Sequence, residues 1–395
     1  MAPGGEEIIR LDNVYKIFGP QPQGRAFDLV KAGYGKDEVL RRSGHVVGLD
    51  DVNFSVKQGE LFVVMGLSGS GKSTAIRTVN KLHDVTHGEV WVDGTDVQKL
   101  DGTELQAFRR DKMGMVFQHF ALFPHRNVID NVGYGLKVQG VEKDDRDEAS
   151  MKALSLVGLE PYSTNYPSEL SGGMQQRVGL ARALASDPDI LLMDEAFSAL
   201  DPLIRRQMQD EMMDIQAALH KTILFITHDL NEALRIGDRV CIMKDGAVVQ
   251  IGTPEEILTK PATGYVAEFV QDVDQGRVIE VREVMRDPQP IAAGSSVRDA
   301  MRAIGDRMGG FVVDSEGKPA AVFTAAAGLE ATVEGRELKS ALSTEFDRTT
   351  RETTLNDVYY AAGKGVPIAV VDDEGRLVGA LDPRDIMEEM GRVER

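Results

Sequence analysis

Residues 66–73, GLSGSGKS, sit between the apolar run LFVVM (61–65) and the helical pattern TAIRTVNKL (74–82), and fit G-x-x-x-x-G-K-[ST] without a mismatch. Glycines let successive backbone N–H groups turn inward, and a helix opening near Lys72 adds the positive end of its dipole to that nest. Such a turn cradles phosphate. Lys72 is placed to reach the β- and γ-phosphates and the Ser73 hydroxyl to bind Mg²⁺. The candidate ATP-binding residues here are Gly66, Leu67, Ser68, Gly69, Ser70, Gly71, Lys72, Ser73 and Thr74.

Other segments end where such a loop needs partners. DILLMDEA carries Asp194 and Glu195 just past four apolar residues, the pattern of a fully buried parallel strand. Ligands gather at the carboxyl ends of such strands. Asp194 suits a Mg²⁺ contact, and Glu195 suits orienting and deprotonating an attacking water. The apolar stretch in TILFITHD ends at His228, within reach of a γ-phosphate, and Gln118 follows the apolar stretch in GMVFQ and could touch both metal and water. Glu195, His228 and Gln118 are the candidate catalytic residues; Ser73, Gln118 and Asp194 are the candidate metal contacts.

Composition narrows the class. At 395 residues the chain exceeds what one core holds, and a formal net charge of −18 argues against a protein that works by neutralising nucleic-acid phosphates. MAPGGEEIIR has no basic flank followed by an apolar run, so no signal peptide is expected. Apolar strings such as ELFVVMG fall far short of the roughly 20 residues a spanning helix needs. Cys241 stands alone and reads as a small buried apolar residue. In RRQMQDEMMDIQAALH, Met208, Met212, Ile215 and Leu219 fall at helical spacing and read as core packing.

LSGGMQQR (170–177) offers neither nucleophile nor carboxylate, yet the Ser171 hydroxyl and the N–H groups of Gly172 and Gly173 can form a second anion site at a helix start. One γ-phosphate is already cradled, so the economical reading has this pair face the nucleotide of another copy. The ordered set GLSGSGKST, FQ, LSGGMQQR, ILLMDEA, SALD and THD resembles the nucleotide-binding subunits of ABC transporters over about residues 8–270. The resemblance implies an ATP sandwich between two copies, with Ser171, Gly172, Gly173 and Asp201 acting in trans, Ser198 to Asp201 crossing the interface, and Phe18 stacking on adenine. It implies an α/β fold: a P-loop NTPase with a RecA-like core and a helical subdomain at about 119–185, which would dock a permease near HFALFPHRNVIDNV.

The stretch between Phe18 and Asp50 is longer than such ATPases usually carry. This insert, about residues 19–47, resembles the ATPases of glycine betaine/proline importers. The expected protein is therefore a homodimeric, peripheral ATPase on the cytoplasmic face of the inner membrane, serving separate permease subunits and, through them, a substrate-binding protein. It would require ATP and Mg²⁺ and bind no nucleic acid. Choline, carnitine or another osmolyte is an open alternative cargo, and a soluble ABC ATPase outside transport is the more distant one.

The back half repeats itself. SSVRDAMRAIG and TTLNDVYYAAG align at a shift of 58, and the same shift carries Asp314 onto Asp372 and Gly317 onto Gly375. Each copy reads as helix, strand, turn, strand, helix. The pair resembles tandem α+β CBS modules, expected at 279–335 and 336–393, which follow and regulate the ATPase in this importer class. Nucleotide-binding CBS modules pair a Thr with an Asp three residues on. The first copy has Thr324 but Ala327, and the second has Asp385 but Asp382 in the threonine's place. Residues 271–395 carry 16 Lys plus Arg against 24 Asp plus Glu, a net of −8, which does not support simple attraction to acidic lipid.

Overall fold

The computed structural model describes residues 6–118, 121–198, 200–271, 276 and 279–391. The chain divides into two compact units, residues 1–270 and 271–395.

The first unit opens with β1 (Glu7–Phe18), then two short helices, α1 (Arg25–Lys31) and α2 (Lys36–Ser43), that occupy the insert. There follow β2 (Val46–Lys57), β3 (Leu61–Met65), α3 (Lys72–Val79), β4 (His87–Val92), β5 (Thr95–Asp96), α4 (Gly102–Lys112) and β6 (Met113–Phe117). A helical layer then interrupts the strands: α5 (Val128–Val132), α6 (Tyr134–Val138), α7 (Lys143–Leu156) and α8 (Gly172–Leu184). The chain returns through β7 (Ile190–Asp194), α9 (Pro202–Leu219), β8 (Thr222–Thr227), α10 (Leu230–Ile236), β9 (Arg239–Lys244), β10 (Ala247–Gly252), α11 (Pro254–Thr259) and α12 (Gly264–Val270).

Two sheets result. An antiparallel one runs β2-β1-β4-β5, and a six-stranded one runs β10-β9-β3-β8-β7-β6. Within the larger sheet β9, β3, β8, β7 and β6 are parallel and only β10 is antiparallel. β3, β7 and β8 are buried along their whole length, as their unbroken apolar sequences require. The core lies between the sheets and α3, with Phe54 of one sheet stacked on Phe62 of the other at 5.3 Å. Each large side chain so buried contributes about 1.5–3 kcal/mol. Met208, Met212 and Ile215 are buried along α9, whereas Leu219, the last member of that stripe, is exposed because the helix ends on it. Cys241 is fully buried in β9.

The second unit holds α13 (Val281–Val284), α14 (Val297–Ile304), β11 (Gly309–Val313), β12 (Pro319–Thr324), α15 (Ala325–Glu334), β13 (Leu342–Ser343), β14 (Arg348–Thr349), α16 (Leu355–Ala362), β15 (Ile368–Val371), β16 (Leu377–Leu381) and α17 (Pro383–Gly391). Both ends of α14 fall on those of α16 at the 58-residue shift. The turn repeats too: Asp314 accepts from the N–H groups of Glu316 and Lys318, and Asp372 from those of Glu374 and Arg376. The cores cross the expected boundary between the copies. Ile279 and Val281 pack with Leu355, Ile368 and Leu381 of the second copy, while Leu338 and Ala341 pack with Ile304 and Phe323 of the first.

Candidate functional site

The parallel ladders run in step, so four strands end together. Met65 lies opposite Thr227, Ile226 opposite Asp194, and Asp194 opposite Phe117. The residues that follow these strands are Gly66, His228, Glu195 and Gln118, and register alone brings them to one edge.

Gly66, Gly69 and Gly71 adopt φ of 149°, 79° and 102°, in the left-handed region. At Gly66 a Cβ would stand 2.2 Å from the Met243 carbonyl, so no larger residue fits. α3 starts at Lys72. The Lys72 ammonium donates to the carbonyls of Gly66 and Leu67 at 2.8 and 3.1 Å. Burial pushes its pKa down, and the Glu195 and Asp194 carboxylates push it back up. The Ser70 hydroxyl is buried in the loop and has no hydrogen-bond partner among the described residues, which leaves a donor for a ligand.

The Ser73 hydroxyl donates to Asp194 Oδ1 at 2.9 Å, and Arg77 pairs with Asp194 Oδ2 at 3.3 Å. A hydroxyl and a carboxylate this close are hard oxygen donors, and among the described residues no group of three or more His, Cys, Asp or Glu could cage a metal. That donor set fits Mg²⁺ shared with phosphate oxygens and water better than a transition metal.

Glu195, just after β7, is in a left-handed conformation, φ 48°, its N–H bonded to the Ile226 carbonyl at 3.1 Å. A non-glycine residue there stores strain that its surroundings must hold. Its Oε2 lies 3.3 Å from His228 Nδ1 and 3.3 Å from Gln118 Nε2, which also donates to the Ser198 hydroxyl at 3.1 Å. Two of the candidate catalytic side chains, His228 and Gln118, therefore converge on the carboxylate of the third. Phe18, at the end of β1, is half-buried and meets His83 edge-on at 5.3 Å, with the Lys16 ammonium 5.0 Å above its ring. It stands next to the loop helix, because a Cβ on Gly48 would touch both Phe18 and Thr74.

Ser171 caps α8 by accepting from the Met174 N–H at 3.3 Å, and Asp201 caps α9 by accepting from Leu203 and Ile204 N–H at 3.2 and 3.1 Å. Gly173 packs against Ile204, where a Cβ would fall 2.6 Å from Cγ2, so the starts of α8 and α9 adjoin. Ser171, Gly172 and Asp201 are exposed on that surface. No hydrogen bond or ion pair among the described residues joins them to Gly66–Thr74 of the same chain. His119 and Phe120 of the expected permease contact, and Ala199 of SALD, lie outside the described residues.

Two contributors were not read from the sequence. Arg77, one helical turn beyond Ser73, holds the carboxylate that Ser73 also holds; its i,i+4 spacing was the available signal. Arg205 donates to the carbonyls of Phe197, Ser198 and Leu200 and lies 3.6 Å from Asp229, tying the Ser198–Asp201 loop to the residue after His228. Nothing in the linear pattern signals that clamp.

A glycine nest at a helix start, facing a carboxylate pair at the ends of parallel strands, defines a P-loop nucleotide-binding ATPase. The family model described as ABC transporter matches residues 49–198. The glycine betaine transport ATP-binding protein OpuAA of Bacillus subtilis is 46% identical over 376 residues, 94% of this chain and 90% of that protein. The glycine betaine/proline betaine ATP-binding protein ProV of Salmonella typhimurium is 43% identical, covering 97% and 98%. A dimeric ATP-binding cassette, MJ0796 in a post-hydrolysis state bound to ADP and Pi, superposes with a TM-score of 0.53 at 33% identity, over 62% of this chain and 98% of that one. The chain belongs to the family of ABC transporter ATP-binding subunits that includes these glycine betaine transport proteins, and it is an ATPase.

Proposed function

We propose that this subunit drives uptake of glycine betaine, proline or a related quaternary amine through separate permease subunits, working as a homodimer on the cytoplasmic face of the membrane. The observation that carries the catalytic part is the convergence of Gln118 and His228 on the Glu195 carboxylate beside the glycine nest. Near-full-length similarity to glycine betaine transport proteins supports the cargo class. The glycine betaine/carnitine protein GbuA of Listeria monocytogenes, 45% identical over 94% of this chain, keeps carnitine as a second reading.

In this reading Gly66–Thr74 hold the nucleotide phosphates and Phe18 stacks on adenine. Ser73, Asp194 and Gln118 would hold Mg²⁺. When bound, the ion supplies charge neutralisation at the β- and γ-oxygens. Glu195 orients the attacking water and accepts its proton, while His228 and Gln118 fix the carboxylate and the γ-phosphate position. Ser171, Gly172, Gly173 and Asp201 present a second anion site to the partner copy's nucleotide. The dimeric cassette with ADP and Pi supports that arrangement. Among the described residues no helix is long and apolar enough to cross a membrane, so the permease must be supplied by other chains in this reading. Residues 279–393 form the CBS-like regulatory tail.

The test is the complex reconstituted with its permease in vesicles, recording ATP hydrolysis with and without glycine betaine, proline, carnitine and choline. Stimulation by glycine betaine supports the leading cargo; stimulation by carnitine or choline alone keeps the mechanism and changes the cargo.

A further inference from the structure

The insert is tied into the nucleotide site. α1 and α2 are bolted to the first sheet through Ala26, Val30 and Val39, which pack with Tyr15, Ile17 and Val47. That packing fixes where α2 begins, and its first residue is Lys36. The Lys36 ammonium reaches the Gly69 carbonyl, at the tip of the phosphate loop, at 3.3 Å. Its stem lies against Gly246, where a Cβ would come within 3.1 Å of Lys36 Cε. Gly246 itself donates its N–H to the Ser70 carbonyl at 2.9 Å and accepts from the Asp50 N–H at 2.9 Å.

Four of the loop's carbonyls are thus held. Lys72 takes Gly66 and Leu67, Gly246 takes Ser70, and Lys36 takes Gly69. The Ser70 N–H is bonded to the Leu67 carbonyl at 3.1 Å, so the Gly69–Ser70 peptide is pinned at both ends and cannot rotate without losing a bond. The orientation of these carbonyls matters because each is the negative end of a peptide dipole. One that turned into the nest would repel the phosphates that neighbouring N–H groups attract. Of the four holding contacts, only the one from Lys36 comes from the insert. Burial pushes the pKa of the ammonium down, against the attraction of Asp245, Asp50 and, on its own helix, Asp37.

We propose that Lys36 is a positioning residue for ATP binding, through which the insert holds the tip of the phosphate loop in its phosphate-receiving conformation. It acts on the loop's backbone and does not need to touch the nucleotide. Such a residue changes how tightly ATP is held before chemistry, so it should move KM and leave kcat.

The experiment measures steady-state ATP hydrolysis by the full chain in complex with its permease, for Lys36→Met, Lys36→Arg and Lys31→Met. Lys31 is the control. It belongs to the same insert but lies over the Tyr15 and Phe27 rings, 4.5 and 5.4 Å from their centres, and away from the loop. Lys36→Met is expected to raise KM for ATP about fivefold with kcat within about twofold, the loss of one half-exposed charged hydrogen bond acting before the chemical step. Lys36→Arg, which keeps a cationic donor, is expected to recover most of that loss, and Lys31→Met to match wild type. Three results overturn the proposal: an unchanged KM in Lys36→Met, an equal rise in Lys31→Met, which would assign the effect to packing of the insert, or a fall in kcat at constant KM.

Discussion

Replacing Gly48 by Ala tests whether Phe18 contacts the nucleotide. Gly48 sits in β2, and its added Cβ would lie 2.7 Å from Phe18 Cε2 and 3.2 Å from Thr74 Cγ2. Its φ is not in the left-handed region, so the backbone accepts alanine and the strain falls on the neighbours. The Thr74 methyl can give by the few tenths of an ångström required. The Phe18 ring must retreat about 0.7 Å to restore ordinary contact at 3.4 Å. A gap of about 0.5–1 Å forfeits a quarter to a half of a dispersion contact. Base–aromatic stacking is worth about 1–3 kcal/mol, so the displaced ring should lose about 0.5–1 kcal/mol, a two- to fivefold weaker ATP affinity. Phe18→Ala, which removes the ring, should weaken binding about thirtyfold for a stack of about 2 kcal/mol. The two changes must not add. In the Phe18→Ala background the new methyl has nothing to push, and Gly48→Ala should then cost almost nothing. Titration calorimetry of ATP into the four full-length proteins gives the cycle. Equal costs of Gly48→Ala in both backgrounds would refute the argument and show that the methyl acts through Thr74 and the loop.

Glu195→Gln keeps the shape of the side chain and removes its basicity. Hydrolysis should fall about 10²- to 10⁴-fold while ATP binding persists, and dimers should accumulate with ATP on size-exclusion chromatography; normal turnover would remove Glu195 from the role of base. Burial pushes the Cys241 thiol up to about 12, so iodoacetamide at pH 8 should leave the folded chain unmodified and label it only after denaturation. Gln176, on α8, is fully buried, and neither of its amide atoms has a hydrogen-bond partner among the described residues. Gln176→Met should therefore raise Tm by about 2 °C, the return of about 1 kcal/mol of unmet desolvation. A lower Tm would mean that the amide finds a partner in a state that dominates in solution.

The grouping of the candidate site at one sheet edge was legible because each part combines a local signal with a period. GLSGSGKS announces its own backbone conformation, and LFVVM, ILLM and TILFIT are buried on both faces, so each must end in a loop at the same sheet edge. Ser171 and Asp201 were read as an anion site and an interface residue, and the structure adds that each caps a helix. What could not be read is side-chain reach across the chain. Lys36 and Gly69 are joined by α2's packing on β1 and β2, and Arg205 reaches three carbonyls and Asp229 through the placement of α9. A charged residue's partner is set by tertiary geometry, and one sequence carries no trace of it.

The back half shows the same limit with the opposite consequence. By resemblance, Asp385 is the acid that the second CBS-like copy retains for a ribose. In the folded unit both its oxygens are engaged by the Arg286 guanidinium, at 2.7 and 2.6 Å. The residue in the threonine's place, Asp382, is buried and accepts from the Met308 N–H at 2.8 Å and from the Arg384 N–H at 3.0 Å. A ligand hydroxyl would have to compete with a bidentate ion pair, offering one hydrogen bond to the carboxylate against the two charge-assisted bonds that the guanidinium makes. The acid that looked half-ready for a nucleotide is instead spent on holding the segment before α14 to α17, and Asp382 holds the start of β11 to the end of β16. These carboxylates serve the junction between the two copies, which is the same junction where Ile279 and Val281 join the second core. The two copies are therefore joined by partly buried side-chain bonds as well as by a shared core.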